Sequence, residues 1–236
     1  MESLGVLLKQ AIQFLNLCVW VYWWCAFCDY KVKRMNWQEL IALLVLTTAT
    51  SFTPGPNTTL STALAANHGL RRAMTFVLSV PVGWGLLFTL CAAGLGALVV
   101  QVPLLRQAIT LGGCAYLIWL AYKIAQTRTL AQEDSSRLNV TFWHGVILQF
   151  LNIKAWMLAL TVVAGWLVGR PDELLRFAQI LPLMLLFGFV SNLAYALVGS
   201  MLRDWLGQNN RLLWFNRLMA LALVVTAVWM FFLCRP

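Results

Sequence analysis

Two short stretches of this chain carry chemistry where their surroundings carry none. The first is Thr53-Pro54-Gly55-Pro56-Asn57, set inside an apolar run over residues 37–66. Two prolines remove backbone donors, and in hydrocarbon the carbonyls they free must find partners within the protein. Irregular backbone at that depth persists only where it is packed in protein or lines a cavity, so this stretch marks a candidate site rather than a surface turn. The second is Gln149-Phe150-Leu151-Asn152-Ile153-Lys154-Ala155-Trp156, inside the run over residues 142–168. Lys154 stands about a dozen residues from either end of that run, too deep to snorkel to an interface. A mid-bilayer lysine costs about 2.5–3.5 kcal/mol on insertion scales, a cost kept when the charge is partnered or used. The bland alternative is a structural ammonium satisfied by helix-end carbonyls, including those exposed at the first break.

These stretches sit in a chain built for lipid. Of its 236 residues 61% are hydrophobic and 11% are charged, with a mean hydropathy of +0.77; soluble domains carry about 25% charged residues. The expected class is an all-α polytopic membrane protein. The formal net charge of +9 lies on Lys and Arg scattered through short connections. No basic stripe points to nucleic acid, and the cations read as topology determinants and headgroup contacts. Cys18, Cys25, Cys28, Cys91, Cys114 and Cys234 all lie in or near apolar runs and read as buried small hydrophobes. Cys25-Ala26-Phe27-Cys28 has metal or redox spacing but no second pair and no nearby His.

Six apolar segments are long enough to cross a bilayer core that needs about 20 helical residues. They cover residues 37–66, 73–100, 104–122, 142–168, 177–201 and 213–233. Trp37, Trp119, Tyr122, Trp143, Trp166, Trp205 and Trp214 lie close to their ends, as an interfacial belt requires. Pro81, Pro103 and Pro182 read as kinks or helix starts. The 126–141 connection, with Glu133, Asp134, Ser135 and Ser136, is the solvent loop.

Arg71, Arg72, Lys123, Arg128, Arg137, Arg203, Arg211 and Arg217 occupy the connections after spans one, three and five; Arg106, Arg170, Arg176 and Arg235 lie opposite. Eight against four predicts cytoplasmic odd-numbered connections. Residues 1–34 form a leader, whose Lys31, Lys33 and Arg34 would invert that orientation if held in the cytoplasm. A signal peptide fits poorly without a small-residue cleavage site. An extra span, an interfacial helix, or an upstream start with synthesis beginning at Met35 are the alternatives. The last is preferred, because residues 35–236 form a self-consistent six-helix transporter domain alone.

Both anomalies fall in the first span of a three-span unit. Three is odd, so the second unit enters the membrane from the opposite side. A 3+3 inverted repeat follows, with interrupted first and fourth helices meeting near the midplane. Thr47, Thr48, Thr50, Ser51, Thr58, Thr59, Ser61 and Thr62 flank the first break, and Gly165–Gly169 forms a GxxxG pair suited to close helix packing. Most of the hydroxyls are expected to bond to their own helix backbone. Asn192, deep in the fifth span, reads equally as a helix–helix hydrogen bond or a pathway residue.

Catalytic constellations are missing: there is no phosphate loop, nucleophile motif or carboxylate pair within the spans, so no enzyme is expected. His68 and His144 lack metal-pair spacing, and no metal ligand set or cofactor is expected. Apart from the leader and loops, the acids Glu39 and Asp204 lie near span ends. Lys154 is the deep titratable group. Coupling through Lys154, through Glu39 or Asp204, or through membrane potential alone all stay open.

Thr53-Pro54-Gly55-Pro56-Asn57 followed by Asn67-His68-Gly69 resembles the opening signature of the LysE/RhtB amino-acid exporters. The stretches from Gly112-Gly113-Cys114-Ala115-Tyr116 to Leu117-Ile118-Trp119-Leu120-Ala121, and from Phe142-Trp143-His144-Gly145 to Asn152-Ile153-Lys154-Ala155-Trp156, resemble its third and fourth spans. The likeness runs over roughly residues 35–232 and omits the leader. Many members have Pro where this chain has Ile153, and the version here is closer to the branch resembling the bacterial cysteine and O-acetylserine exporter. The resemblance implies a multi-pass secondary transporter of the bacterial inner membrane, exporting small neutral amino acids or derivatives on the proton motive force. Its partners would be the amino-acid substrate and the lipid bilayer, with a homo-oligomer left open.

On that reading half-helix N-termini near Asn57, with Lys154, take the substrate carboxylate. Carbonyls freed at residues 53–56, with Asn152 or Asn192, take its ammonium. The expected substrate contacts are Thr53, Pro54, Gly55, Pro56, Asn57, Gln149, Asn152, Lys154 and Asn192. Two other readings are weighed against this one. A cation or metal exporter would want oxygen-rich ligands that the spans lack. A non-transporting membrane scaffold subunit would turn its broken helices to lipid or a partner, with no central cavity.

Overall fold

A computed structural model describes residues 35–127, 140–208 and 210–233, and all regular structure among them is helical. The leader, the centre of the 126–141 loop, Cys234 and Arg235 lie outside the described residues. Helix α1, Trp37–Phe52, opens with the Asn36 N–H donating to the Glu39 carboxylate (3.3 Å). It ends where Pro54 forces Thr53 into extended backbone, φ −69° and ψ 129°. Helix α2, Pro56–His68, starts with Pro in its first turn, where the missing N–H costs nothing. Eleven of its thirteen residues are buried, which makes it the central element of the bundle. Gly69, at φ +82°, turns the chain into α3, Leu70–Ala92, a reversal that a residue with a Cβ adopts only under strain.

Helix α3 keeps Pro81 in its interior but stops at Ala92, and the separate short helix α4 (Leu95–Gln101) follows. The second span expected over residues 73–100 is therefore interrupted: Gly94 takes φ +93° and ends the helix. Pro103 begins α5, Pro103–Ala125, as a helix start. Helix α6, Phe142–Leu151, breaks at Asn152 and resumes as α7, Ile153–Val162, bent by 68°. A π-helical turn, Val163–Leu167, continues α7. Helices α8 (Glu173–Leu206, with Pro182 inside) and α9 (Arg211–Leu233) complete the bundle. Among the described residues, α3, α5, α8 and α9 are each long and apolar enough to cross a membrane, and the bent α6–α7 pair makes a fifth crossing. The protein is thus an all-α polytopic membrane protein.

Helix α2 packs chiefly on α8, α5 on α9, and α3 on α6 and α8. Glycines set the closest approaches: a Cβ at Gly199 of α8 would strike the Thr62 carbonyl of α2, and one at Gly113 of α5 the Leu151 carbonyl that ends α6. The expected GxxxG contact is a correction. Gly165 falls in the π-helical turn and Gly169 follows it at φ +75°, and no atom of another element lies within 4 Å of a Cβ placed on either. The motif sits where α7 ends, facing open space. Trp37, Trp119, Tyr122, Trp143, Trp205 and Trp214 are exposed, in keeping with an interfacial belt. Cys91 and Cys114 are buried, and the Cys114 thiol donates to the Ala227 carbonyl (3.2 Å).

The two ends of the bundle are closed by different chemistry. Asn67 and Asn216, both fully buried, exchange amide hydrogen bonds of 2.7 and 2.9 Å, and Asn216 also donates to the Thr127 carbonyl (2.9 Å). That network ties α9 to the ends of α2 and α5. At the opposite end Glu39 pairs with Arg170 and Arg176, each at 3.0 Å, and Arg176 also grips Asp172. Trp166 donates to the Glu39 carbonyl (3.0 Å), so α1 is held at its start.

Replacing Gly199 by Val drives α8 off α2 and is expected to lower stability by about 1–3 kcal/mol or more, whereas Gly165→Ala stays within about 0.5 kcal/mol of the parent. Thermal melts of the two detergent-solubilised variants, read by size-exclusion profile, check this; equal behaviour of the two contradicts the packing described.

Candidate functional site

A helix that ends inside a bundle leaves its last carbonyls without intrahelical partners. At the end of α1 two side chains from other helices supply them. Tyr195 of α8 donates its hydroxyl to the Phe52 carbonyl (2.9 Å), and the Lys154 ammonium donates to the Thr53 carbonyl (3.1 Å). At the end of α6 the Trp156 indole N–H donates to the Phe150 carbonyl (2.8 Å). The two breaks therefore meet, and Lys154 is one of the groups that join them. Lys154 also lies over Gly55, where a Cβ would sit 3.5 Å from its Nζ.

The helices that restart after the breaks are capped locally. The Gly55 N–H donates to the Thr58 hydroxyl (2.9 Å), which donates back to the Gly55 carbonyl (3.1 Å). Asn152 has φ −96° and ψ 100°, outside the helical region, and its side-chain oxygen accepts the Lys154 N–H (3.2 Å). Short polar side chains at such positions compete for backbone groups and so favour helix starts. Asn57 in the first turn of α2 and Gln149 in the last turn of α6 then cross-link one restart to the helix end at the other break by reciprocal amide bonds of 2.9 and 3.2 Å, while Gln149 also donates to the Gly145 carbonyl (2.9 Å).

Beside this junction lies a cavity of about 80 Å³, small against the roughly 300–1,000 Å³ of sites for drug-sized ligands. Thr50, Ser51, Thr53, Gly55, Pro56, Asn57 and Thr58 line it from the first break, and Asn152, Lys154, Ala155 and Leu158 from the second. Helix α3 adds Val80, Pro81 and Trp84, and α8 adds Met184, Gly188, Ser191 and Asn192.

Seven of the nine expected contact residues, Thr53, Gly55, Pro56, Asn57, Asn152, Lys154 and Asn192, border one cavity. Pro54 is exposed and outside the lining, at the point where α1 ends. Gln149 is fully buried behind Asn57 and holds that side chain rather than bordering the cavity. Asn192 makes the expected helix–helix hydrogen bond, accepting from the Ser61 hydroxyl (2.9 Å), donates to the Gly188 carbonyl (2.8 Å), and also borders the cavity. The hydroxyls of Thr48, Thr50 and Thr62 donate one turn back to their own helices at 2.7–2.9 Å, as expected. Thr47 instead donates to the Met184 sulfur (3.1 Å) across to α8.

The coupling candidates separate in space. Lys154 is at the cavity, Glu39 is in the ionic cluster at one end of the bundle, and Asp204 is exposed in the last turn of α8. Trp84, Met184 and Ser191 were not legible as site residues. An apolar or small residue within a span carries no local mark that separates a cavity wall from ordinary core.

The sequence matches the family described as LysE type translocator over residues 48–233. The cysteine/O-acetylserine efflux proteins of Escherichia coli (strain K12), Shigella sonnei (strain Ss046) and Shigella flexneri are each 30% identical to it over 194 residues, covering 82% of this chain and 97% of the relative. No solved structure matches the chain. With its series of apolar helices, the protein is a multi-pass transporter of the bacterial inner membrane, not an enzyme. The chain belongs to the LysE type translocator family.

Proposed function

We propose that this translocator exports small neutral amino acids or close derivatives, of the cysteine and O-acetylserine type, from the cytoplasm on the proton motive force. The observation that carries the reading is the Lys154 ammonium on the Thr53 carbonyl, 3.1 Å apart at a cavity wall shared by two helix breaks. A zwitterion entering there can take both halves of that contact. Its carboxylate binds Lys154, and its ammonium binds the Thr53 carbonyl that Lys154 releases. One internal hydrogen bond is exchanged for two charge-assisted ones. The first turn of α2 adds its positive dipole end on the carboxylate side, next to Asn57. Asn152 and Asn192 supply further amide oxygen and nitrogen atoms, and Gln149 holds Asn57 in place. The small cavity suits a compact solute, and the efflux proteins named above support the substrate class.

In this reading α1 with α2 makes the first crossing and α6 with α7 the fourth, so that two three-span units enter from opposite sides. The convergence of the breaks supports that arrangement, as do the bundle ends. The Glu39 cluster gathers the start of span one with the connection between spans four and five. The Asn67–Asn216 network gathers the end of span one with the end of span three and the start of span six. Odd-numbered connections are then cytoplasmic, with residues 35–236 as the transporter body and residues 1–34 apart from it. Lys154 carries the coupling, being the candidate that touches the cavity.

Two outcomes are expected in proteoliposomes. Lys154→Ala, inserted at parental levels, loses at least about ten-fold in cysteine counterflow, the worth of a hydrogen bond to a charged group; a parental rate removes Lys154 from the site. Glu39→Gln and Asp204→Asn keep the acceleration of uptake by an imposed proton gradient. A variant of either residue that keeps counterflow but no longer responds to the gradient moves the coupling group there.

A further inference from the structure

A glycine inside a helix needs a reason, because alanine in the same place holds the helix better. Helix α8 has two, Gly188 and Gly199. Packing accounts for Gly199, where a Cβ would strike the Thr62 carbonyl. No such contact accounts for Gly188. Its own helix backbone and chain neighbours apart, nothing lies within 4 Å of a Cβ placed on it. Its hydrogen bonds do not ask for glycine either. The Gly188 carbonyl accepts from the Ser191 hydroxyl (3.2 Å) and the Asn192 amide (2.8 Å), and every residue type has that carbonyl.

The open space over Gly188 belongs to the cavity. Met184, Gly188, Ser191 and Asn192 all border it from α8, and at 3.6 residues per turn the four fall within an arc of about 100° on one helix face. Tyr195 falls within the same arc. Other helices front that face along its length. Thr47 of α1 donates to the Met184 sulfur, Tyr195 donates to the Phe52 carbonyl that ends α1, and Ser61 of α2 donates to Asn192. A side chain at position 188 would therefore extend from the middle of the wall into the gap between α8 and the first break. Met184, Ser191 and Asn192 are buried, whereas Gly188 is partly exposed. The wall is bare backbone there.

We infer that Gly188 is a specificity-determining residue: its missing side chain leaves the room that the side chain of the transported amino acid fills, and so limits how long that side chain can be. The inference rests on the export reading above and narrows it. An α-carboxylate and an α-ammonium are common to all the amino acids in question, and the groups assigned to them, Lys154 and the Thr53 carbonyl, lie on other elements. Side-chain length is what varies. In a cavity of about 80 Å³ a single added methyl group is a large obstruction. It penalises O-acetylserine more than cysteine, because the acetyl group makes the former much the longer of the two. Pockets separate side chains that differ by one methylene by about ten-fold or more.

The test is competitive counterflow in proteoliposomes with the full chain and its Gly188→Ala and Gly188→Val variants. Gly165→Ala is the control, at a glycine that also faces open space but lies outside the cavity lining. Gly188→Ala inserts as well as the parent, since alanine favours the helix and meets no other atom there. In that variant the preference for O-acetylserine relative to cysteine falls at least about ten-fold against the parent. Gly188→Val lowers it further, and Gly165→Ala keeps the parental ratio. A ratio unchanged in both position-188 variants overturns the inference. An equal loss for both solutes also overturns it, by placing residue 188 against the groups that all amino acids share. Failure of Gly188→Ala to insert does the same, by assigning the glycine to packing. Counterflow absent for every amino acid in the parent overturns the export reading itself, and the inference with it.

Discussion

A helix that stops inside a bundle must have its terminal carbonyls satisfied by something other than its own backbone, and the organisation of this protein follows from meeting that demand twice. At the end of α1 the partners are Tyr195 and Lys154, from two other helices; at the end of α6 the partner is Trp156, two residues beyond Lys154 in sequence. The second reaches back across its own break, and the first is supplied by other helices. The first could not exist unless α7 and α8 lay against α1, so the polar needs of the backbone fix the positions of three helices at once. A cavity lined by half-helix ends is the by-product, and it inherits its polarity from the same groups.

The rest of the architecture lets those helices come close. Gly199 brings the α8 backbone onto the Thr62 carbonyl, and Gly113 brings α5 onto the last carbonyl of α6. In a membrane, where apolar contact between helices displaces only lipid, such approaches supply the dispersion and weak polar contacts that larger side chains cannot. Buried amides then set register: Asn192 with Ser61, Asn57 with Gln149, Asn67 with Asn216. Each pair joins segments about ninety or more residues apart, with separations of 131, 92 and 149. They specify which helices are neighbours more than they add to stability.

Much of this was legible because proline and an unpaired lysine are conspicuous in apolar sequence. Pro54 fixes the end of α1 through the backbone of Thr53, and Lys154 has no reason to lie at depth without a partner. Both follow from local chemistry. The interruption at Gly94 was hidden because the surrounding residues, Cys91 to Val100, are as apolar as an unbroken span. Gly165 and Gly169 misled for the opposite reason: the spacing matches a packing motif, but the π-helical turn rotates it away from any neighbour. Side-chain pairings such as Glu39 with Arg176 depend on how crossings are arranged in three dimensions, and one-dimensional spacing does not encode that.

Helix α8 is 34 residues long, or about 51 Å, against a hydrocarbon thickness of about 30 Å. Its cavity-lining stretch, Met184 to Asn192, lies near its middle. Arg176 therefore stands about 18 Å from that centre along the axis, and its bonds to Glu39 and Asp172 form well away from the cavity. Within that cluster Arg170 and Glu39 stay partly exposed while Arg176 is buried. Raising the salt concentration screens the partly exposed pairs of Glu39 and loosens the tether on the start of α1.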